Sequence, residues 1–449
     1  MVRDMTSGRP LRLILAFAIP LLLGNLIQQI YNTVDSAIVG QFIGKEALAA
    51  VGSTGSIFNL VIGFTGGVAA GFGIILASYF GAGDHDRLRN CVANIIYLAV
   101  GITVVLTVLA VSLARPMLLW MDTPPDILED AYRYIVIIYA GIFSAMFYNV
   151  LAYILRALGD SRSPLFFLII SACVNVGADL LFVLVFHMGT AGVALATVLA
   201  QTLSATACFF YIRIKMPILR LSRQDLTPDW GLMKRLLCQG LPMAFQLSIT
   251  AIGAIILQMA VNSLGTDAVA AVTTSTKIQI FVFMLLESLG ATMATYCSQN
   301  LGAGKLDRIR RGVHTGLAVS LVCSLLGGVL IFSLGHKIAL LFLDAGEAAV
   351  LANVKRFLRI GVFFYPVLSF MYIYRNSVQG LGQSLPAMLG GVLEMVTRAS
   401  VAFFFVYRIG FDAACVAQPV SWIPVVLLMM PVYYARLRRM GRKQAKLSE

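Results

Sequence analysis

The string GAGDHDRLRNCV at residues 81–92 returns as GAGKLDRIRRGV at residues 302–313. Asp86, Arg87 and Arg89 of the first copy align with Asp307, Arg308 and Arg310 of the second. Outward from this pair, IGKEALAAV at 43–51 returns as LGTDAVAAV at 264–272. Pro20 aligns with Pro242, and RALGDSRSP at 156–164 is echoed by QGLGQSLP at 379–386. Matches in one order at an offset of roughly 221 residues divide the chain into two similar halves.

The 449 residues are 59% hydrophobic and 12% charged, with a mean hydropathy of +0.86, which excludes a soluble domain of ordinary composition. Apolar stretches of about 20 residues, each long enough to cross a bilayer, recur from end to end. They centre near Pro20, Gly63, Val104, Phe143, Ser171, Ala200, Ile249, Leu285, Val322, Val367, Ala399 and Leu427. Backbone in lipid must satisfy its own hydrogen bonds, so each is read as a helix. The pattern predicts an all-α polytopic membrane protein, with twelve transmembrane helices in two pseudo-symmetric six-helix lobes. Six is even, so both halves start on the same side, and a pseudo-two-fold axis along the membrane normal is expected. The N-terminal lobe is assigned to 1–212, a linker with Pro217 and Pro228 to 213–235, the C-terminal lobe to 236–435 and a basic tail to 436–449.

The net charge of +13 does not signal nucleic acid. Lys and Arg cluster at the two ends, in the linker and after alternate spans. This is the positive-inside pattern, and it places both termini and the linker in the cytoplasm. The tail reads as an anchor on anionic lipid. The apolar run after Leu13 is too long for an h-region, so a cleavable signal is not expected. The seven cysteines lie in or near apolar segments without a CxxC pair and read as packing residues. GAGKL at Gly302 has Gln299 where a phosphate loop needs its first Gly, and it lacks the Ser/Thr after Lys305, so ATP binding is rejected. The four histidines, His85, His187, His314 and His336, are scattered near span ends, which argues against a membrane enzyme.

Asn25, Gln28, Asn32 and Asp35 share one helix face in the first span. An acid inside lipid needs a cavity or a partner and marks an ion or proton pathway. In span five, Asn175 and Asp179 stand at i and i+4 on one face. Counting rise per residue puts Asp35, Asp179 and Thr197 of span six at similar depth. Such an oxygen-rich set suits a hard cation or a shared proton, because two close carboxylates cannot both ionise cheaply. The second half does not reproduce the set, so a cation site belongs to the N-terminal lobe alone. Pro20 removes a backbone hydrogen bond 15 residues before Asp35 and is the expected hinge. Glu394 and Arg398, at i and i+4, suit an ion pair. Gly63, Gly67 and Gly71 form a small-residue stripe for close helix packing. A substrate cavity is assigned to Asn25, Gln28, Asn32, Tyr139, Met146, Gln246, Glu287, Tyr365, Ser369 and Tyr372.

At these residues the chain resembles the multidrug and toxic compound extrusion (MATE) family. The likeness covers the twelve spans, IPLLLGNLIQQIYNTVDSAIVGQFIGKEALAAVG at 19–52, the paired Gly-Ala-Gly loops and GVALATVLAQ at 192–201. It implies secondary active efflux by alternating access, with Na⁺ or H⁺ moving inward as an organic, often cationic, compound moves outward. The DinF-type prokaryotic branch carries its cation motif at the positions of Asp35, Asn175, Asp179 and Thr197, with Pro20 at the bend. Another branch has a Glu where this chain has Thr250. The resemblance further implies a prokaryotic cytoplasmic membrane, small organic substrates, no cofactor beyond the coupling ion, no enzymatic activity and a two-lobe monomer. A flippase for lipid-linked precursors, of related fold, is the alternative; it would favour a basic cavity for pyrophosphate.

Overall fold

The computed structural model describes residues 4–344 and 346–448. The first half contains α1 (Pro10–Ile38), α2 (Lys45–Ala82), α3 (His85–Trp120), α4 (Pro125–Ala140), α5 (Ile142–Ala157), α6 (Arg162–Leu180) and α7 (Gly189–Lys215). The second contains α8 (Trp230–Asn262), α9 (Thr266–Gly302), α10 (Leu306–Ala339), α11 (Ala348–Phe363), α12 (Tyr365–Gly380), α13 (Ser384–Val401), the short α14 (Tyr407–Ile409) and α15 (Phe411–Ser448). No strand occurs among the described residues. Among the described residues, ten helices are long and apolar enough to cross a membrane, and two bent pairs, each taken as one span, bring the number to twelve. The pairs are α4 with α5, bent by 46° at Gly141, and α11 with α12, bent by 51° at Phe364. Spans four and ten are therefore broken at matching places in the repeat.

Local chemistry explains the joints. Gly83 ends α2 at φ 70°, and its repeat partner Gly304 adopts φ 68° after α9; both need the left-handed region. Asp84 then caps α3 by accepting the Arg87 N–H at 3.0 Å. A π-helical turn, Val39–Ile43, continues α1, and others follow α6 (Leu181–Val185) and α13 (Ala402–Val406). Such turns add a residue to the helical register and re-aim the side chains beside them.

The helices group into two compact units, one of Ile19–Ala244 and one of Met5–Ala18 with the chain from Phe245 onward. The packing boundary thus differs from the expected division around 213–235. It falls inside α1 and α8, next to Pro20 and Pro242. The reason is apolar contact. Met216, Leu219, Leu232, Leu236 and Ala244 join the core of the first unit with Val68, Phe72, Leu88 and Leu155. Gly67 and Gly71 let α2 lie against the backbone of α8 at Ala244 and Gly240; Gly63, on the same stripe, has nothing within 4 Å of its Cβ direction. Other cores lie around Ile135, Ile138 and Tyr139 in the first unit, and around Leu257, Ala402 and Cys415 and around Ile331, Leu358 and Tyr365 in the second.

Each unit also holds a short strap of chain outside its long helices, a 3-10 turn at Gln224–Leu226 in the first and a turn at Met5-Thr6 in the second. In the first, Asp225-Leu226-Thr227 runs along α3. Arg89 pairs with Asp225 at 3.2 Å, Asn90 Nδ2 donates to the carbonyls of Asp225 and Thr227, and the Tyr97 hydroxyl donates to the Leu226 carbonyl. The Ser222 hydroxyl and backbone N–H both donate to Asp225 at 2.7 Å and, aided by Arg89, hold its carboxyl below the usual aspartate range. In the second, Met5-Thr6 lies on α9 and α10. Gln299 Oε1 accepts the Met5 N–H at 2.9 Å, Arg308 donates to the Met5 and Gly8 carbonyls, and Lys305 donates to the Thr6 carbonyl. The strap sequences are themselves a repeat: Asp4-Met5-Thr6 stands 221 residues before Asp225-Leu226-Thr227.

Candidate cation site and its cavity

Helices α1, α6 and α7 bring Asp35, Asn175, Asp179 and Thr197 together inside the first unit. Asn175 and Asp179 are fully buried at 0% exposure, and Thr197 is buried too. The Asp35 carboxylate is within electrostatic reach of Asp179 and of the Tyr31 hydroxyl. Tyr31 also donates to Thr197 Oγ1 at 3.5 Å, and Asn175 Nδ2 reaches the same oxygen at 3.4 Å. Thr197 itself donates to the Val193 carbonyl at 3.0 Å.

What distinguishes the cluster is what it leaves unpaired. Asp35 Oδ1, Asn175 Oδ1 and both carboxylate oxygens of Asp179 are buried acceptors with no hydrogen-bond donor. Native interiors rarely tolerate one such atom, and four together constitute an unmet demand for positive charge. A hard cation with oxygen ligands, or a proton shared by the two acids, satisfies that demand. Asp179 lies two residues before the π turn at Leu181, and Asp35 lies one helical turn before the one at Val39. Val39 and Val183 of the two turns pack together with Ala47 and Val193 beside the acids.

A cavity of about 660 Å³ opens onto this cluster within the first unit. Asp35 and Thr197 line it, while Asn175 and Asp179 lie behind its wall. Gln28, Asn32, Asn59, Asn149 and Gln201 supply side-chain amides to the lining, and Tyr31, Tyr134 and Tyr148 supply rings with hydroxyls. Among the described residues, Asp35 is the only charged one that lines it.

Several residues assigned to a substrate cavity stand elsewhere. Tyr139 and Met146 are core residues at 0% and 1% exposure; the Tyr139 hydroxyl donates to the Ile57 carbonyl. Tyr365 is fully buried in the core with Ile331 and Leu358, and Ser369 donates to the Pro366 carbonyl inside its own helix. These stripes face neighbouring helices, whose packing absorbs them. Asn25 is not on the cavity wall. Gln246 is buried in the second unit, where it accepts from Gln379 at 2.7 Å.

The comparisons with known proteins agree with this architecture. The MatE family profile matches residues 20–181 and again 242–404, once for each half. The chain belongs to the MATE family. Like its relatives it is a multi-pass membrane protein of a transporter family. It is 28% identical over 433 residues to the probable multidrug resistance protein YoeA of Bacillus subtilis, covering 93% of this chain and 92% of that one. To the probable multidrug resistance protein NorM of Thermotoga maritima it is 22% identical, covering 90% and 88%. Among solved structures, a MATE protein in the bent conformation superposes with a TM-score of 0.91 at 20% identity, covering 98% of both chains. An outward-facing multidrug resistance MATE transporter gives 0.89 at 20% identity, again covering 98% of both. At that identity the structures establish the shared fold.

This MATE protein has a second polar cluster, in its other unit. Glu394 is paired with Arg398, as the spacing predicted, and also with Arg375 at 3.3 Å, which sequence reading missed. The missed signal was an arginine in the middle of an apolar span. Tyr372 lies under the Arg375 guanidinium, 5.3 Å from ring centre to charge. Glu287 on α9 is within electrostatic reach of both. Lys277, on the same helix as Glu287, is exposed, with its ammonium over the Phe342 ring at 5.6 Å. Tyr31 and Tyr134 beside the cation cluster were also missed; Tyr31 stands one turn before Asp35 on the same helix face, where its spacing could have identified it.

Proposed function

We propose that this protein is a secondary active exporter that moves organic, often cationic, compounds outward in exchange for inward Na⁺ or H⁺. The relatives' description as probable multidrug resistance proteins supports the substrate class. The observation that carries the coupling is the set of orphaned buried oxygens on Asp35, Asn175 and Asp179. Two adjacent carboxylates gain most from a cation when both are ionised, so occupancy alternates between an ion-loaded and a substrate-competent state. Because Asp35 faces the amide-rich cavity and Asp179 lies behind it, an ion on the pair removes the negative charge a cationic substrate would seek. Pro20 is the hinge through which α1 responds, since the missing backbone hydrogen bond lowers the cost of bending there.

The protein acts as a monomer in a prokaryotic cytoplasmic membrane, with both termini inside and with no cofactor beyond the coupling ion. The flippase reading is not favoured, because no Arg or Lys lines the cavity among the described residues and a pyrophosphate would find no partner there.

The test uses purified protein in liposomes with an imposed Na⁺ gradient, then an imposed pH gradient, and ethidium as the transported cation. One gradient should drive transport in the wild type, which names the ion. Asp35→Asn and Asp179→Asn should each lower the driven rate by about tenfold or more at equal insertion. Full gradient-driven transport in both variants would remove the acids from the coupling role.

A further inference from the structure

We propose that the second unit carries a carboxylate-binding subsite centred on Arg375, with Glu287 placed to receive a cationic group of the same molecule. The inference rests on the exporter reading above and gives one substrate two charged contacts in this unit.

The charges do not balance within the buried cluster. Two guanidinium groups, on Arg375 and Arg398, converge on the single carboxylate of Glu394, and all three side chains are buried. A buried ion group inside a membrane span that keeps an excess positive charge is costly unless a further anion approaches. Glu287 lies within electrostatic reach of Arg375, yet it makes no hydrogen bond or ion pair among the described residues and its side chain is exposed. It therefore biases the field without filling the arginine's fork.

The fork is only partly used. Arg375 commits Nη1 to Glu394, and its remaining guanidinium nitrogens take no partner among the described residues and reach accessible space. Arg398 differs: its Nη2 is on Glu394, its Nη1 is on the Thr250 carbonyl, and its Nε is sealed from solvent. Arg398 is the structural member of the triad, and Arg375 is the one that can receive a ligand. A planar fork with paired N–H donors matches a carboxylate in two-point fashion, and the Tyr372 ring supports the guanidinium from one side at 5.3 Å. An exposed acid and a half-used arginine within electrostatic reach of each other suit a molecule that carries both charges. A simple cation would meet Glu287 but be repelled by Arg375.

The experiment is equilibrium binding by fluorescence polarisation to the purified full-length protein, without any gradient. The probes are a rhodamine ethyl ester and its free acid, which share one xanthylium cation and differ only in ester against carboxylate. Wild type should prefer the acid. Arg375→Gln should cut the acid-over-ester preference by about tenfold, the loss of one charge-assisted pair, and Arg375→Lys should retain part of it. Glu394 keeps Arg398 in both variants, so the buried carboxylate stays paired. Glu287→Gln should weaken both dyes in parallel. An unchanged preference in Arg375→Gln, an equal fall for both dyes in that variant, or no binding of either dye to wild type would overturn the proposal. Because no ion gradient enters the assay, loss of the coupling role of Asp35 and loss of this subsite are read separately.

Discussion

At the scale of single residues, the first unit keeps acids where they cost stability. Asp179 is fully buried with neither carboxylate oxygen bonded. A buried acid without a donor costs several kcal/mol or must hold a proton or a cation. Asp179→Asn removes the charge at constant shape, so the variant should be more heat-stable than wild type in metal-free detergent, by about 2 °C or more. A thermal-shift assay checks this, and an unchanged or lower melting temperature would mean that Asp179 is already satisfied by its neighbours. Glu394 presents the opposite case, an acid held by two arginines. Both kinds of residue look alike in sequence, as single acids within apolar runs. Only their surroundings separate a site that demands a cation from one that has its partners built in.

At the scale of elements, close approach decides which small residues matter. A Cβ on Gly71 would fall onto the backbone of Gly240, which cannot yield as a side-chain tip can, whereas a Cβ on Gly63 meets nothing within 4 Å. Gly71→Ala should therefore destabilise the protein by about 1–3 kcal/mol, while Gly63→Ala should be neutral within about 0.5 kcal/mol. Denaturation of both variants in one detergent measures the difference, and equal effects would contradict this packing of α2 on α8. Periodicity made the stripe of Gly63, Gly67 and Gly71 legible, but which of the three touch a partner was not, because a helix face shows spacing and not what lies opposite. The breaks at Gly141 and Phe364 were likewise unread, since each bent pair has the summed length and hydropathy of one span.

At the scale of the whole molecule, α1 and α8 each change unit near a proline, at Ala18/Ile19 and at Ala244/Phe245. The start of α1 is tied to the second unit by the Met5–Gly8 strap, chiefly through Arg308. The rest of α1, with Asp35, belongs to the first. A helix with its two parts anchored separately and a missing hydrogen bond at the change of unit is suited to bending at that point. Arg308→Ala should raise hydrogen exchange in Met5–Ala18 by about tenfold or more while leaving Ile19–Ile38 little changed. Exchange that rises equally along all of α1 would show that the helix is one cooperative element and that Pro20 does not divide it.

Sequence alone determined the class of fold, the count of spans and the internal repeat, because bilayer thickness sets the length of an apolar run and duplication leaves matching strings at one offset. It also picked out Asp35, Asn175, Asp179 and Thr197 as residues that could meet, because helical rise converts residue number into depth. Tertiary structure decided which polar faces meet a cavity and which meet another helix. It moved Tyr139, Met146, Tyr365 and Ser369 into packed interiors and added Tyr31 and Arg375 to polar clusters. It also decided where one unit ends and the next begins, since that boundary follows apolar contact between helices distant in sequence, and the order of residues along a chain does not encode such contact locally.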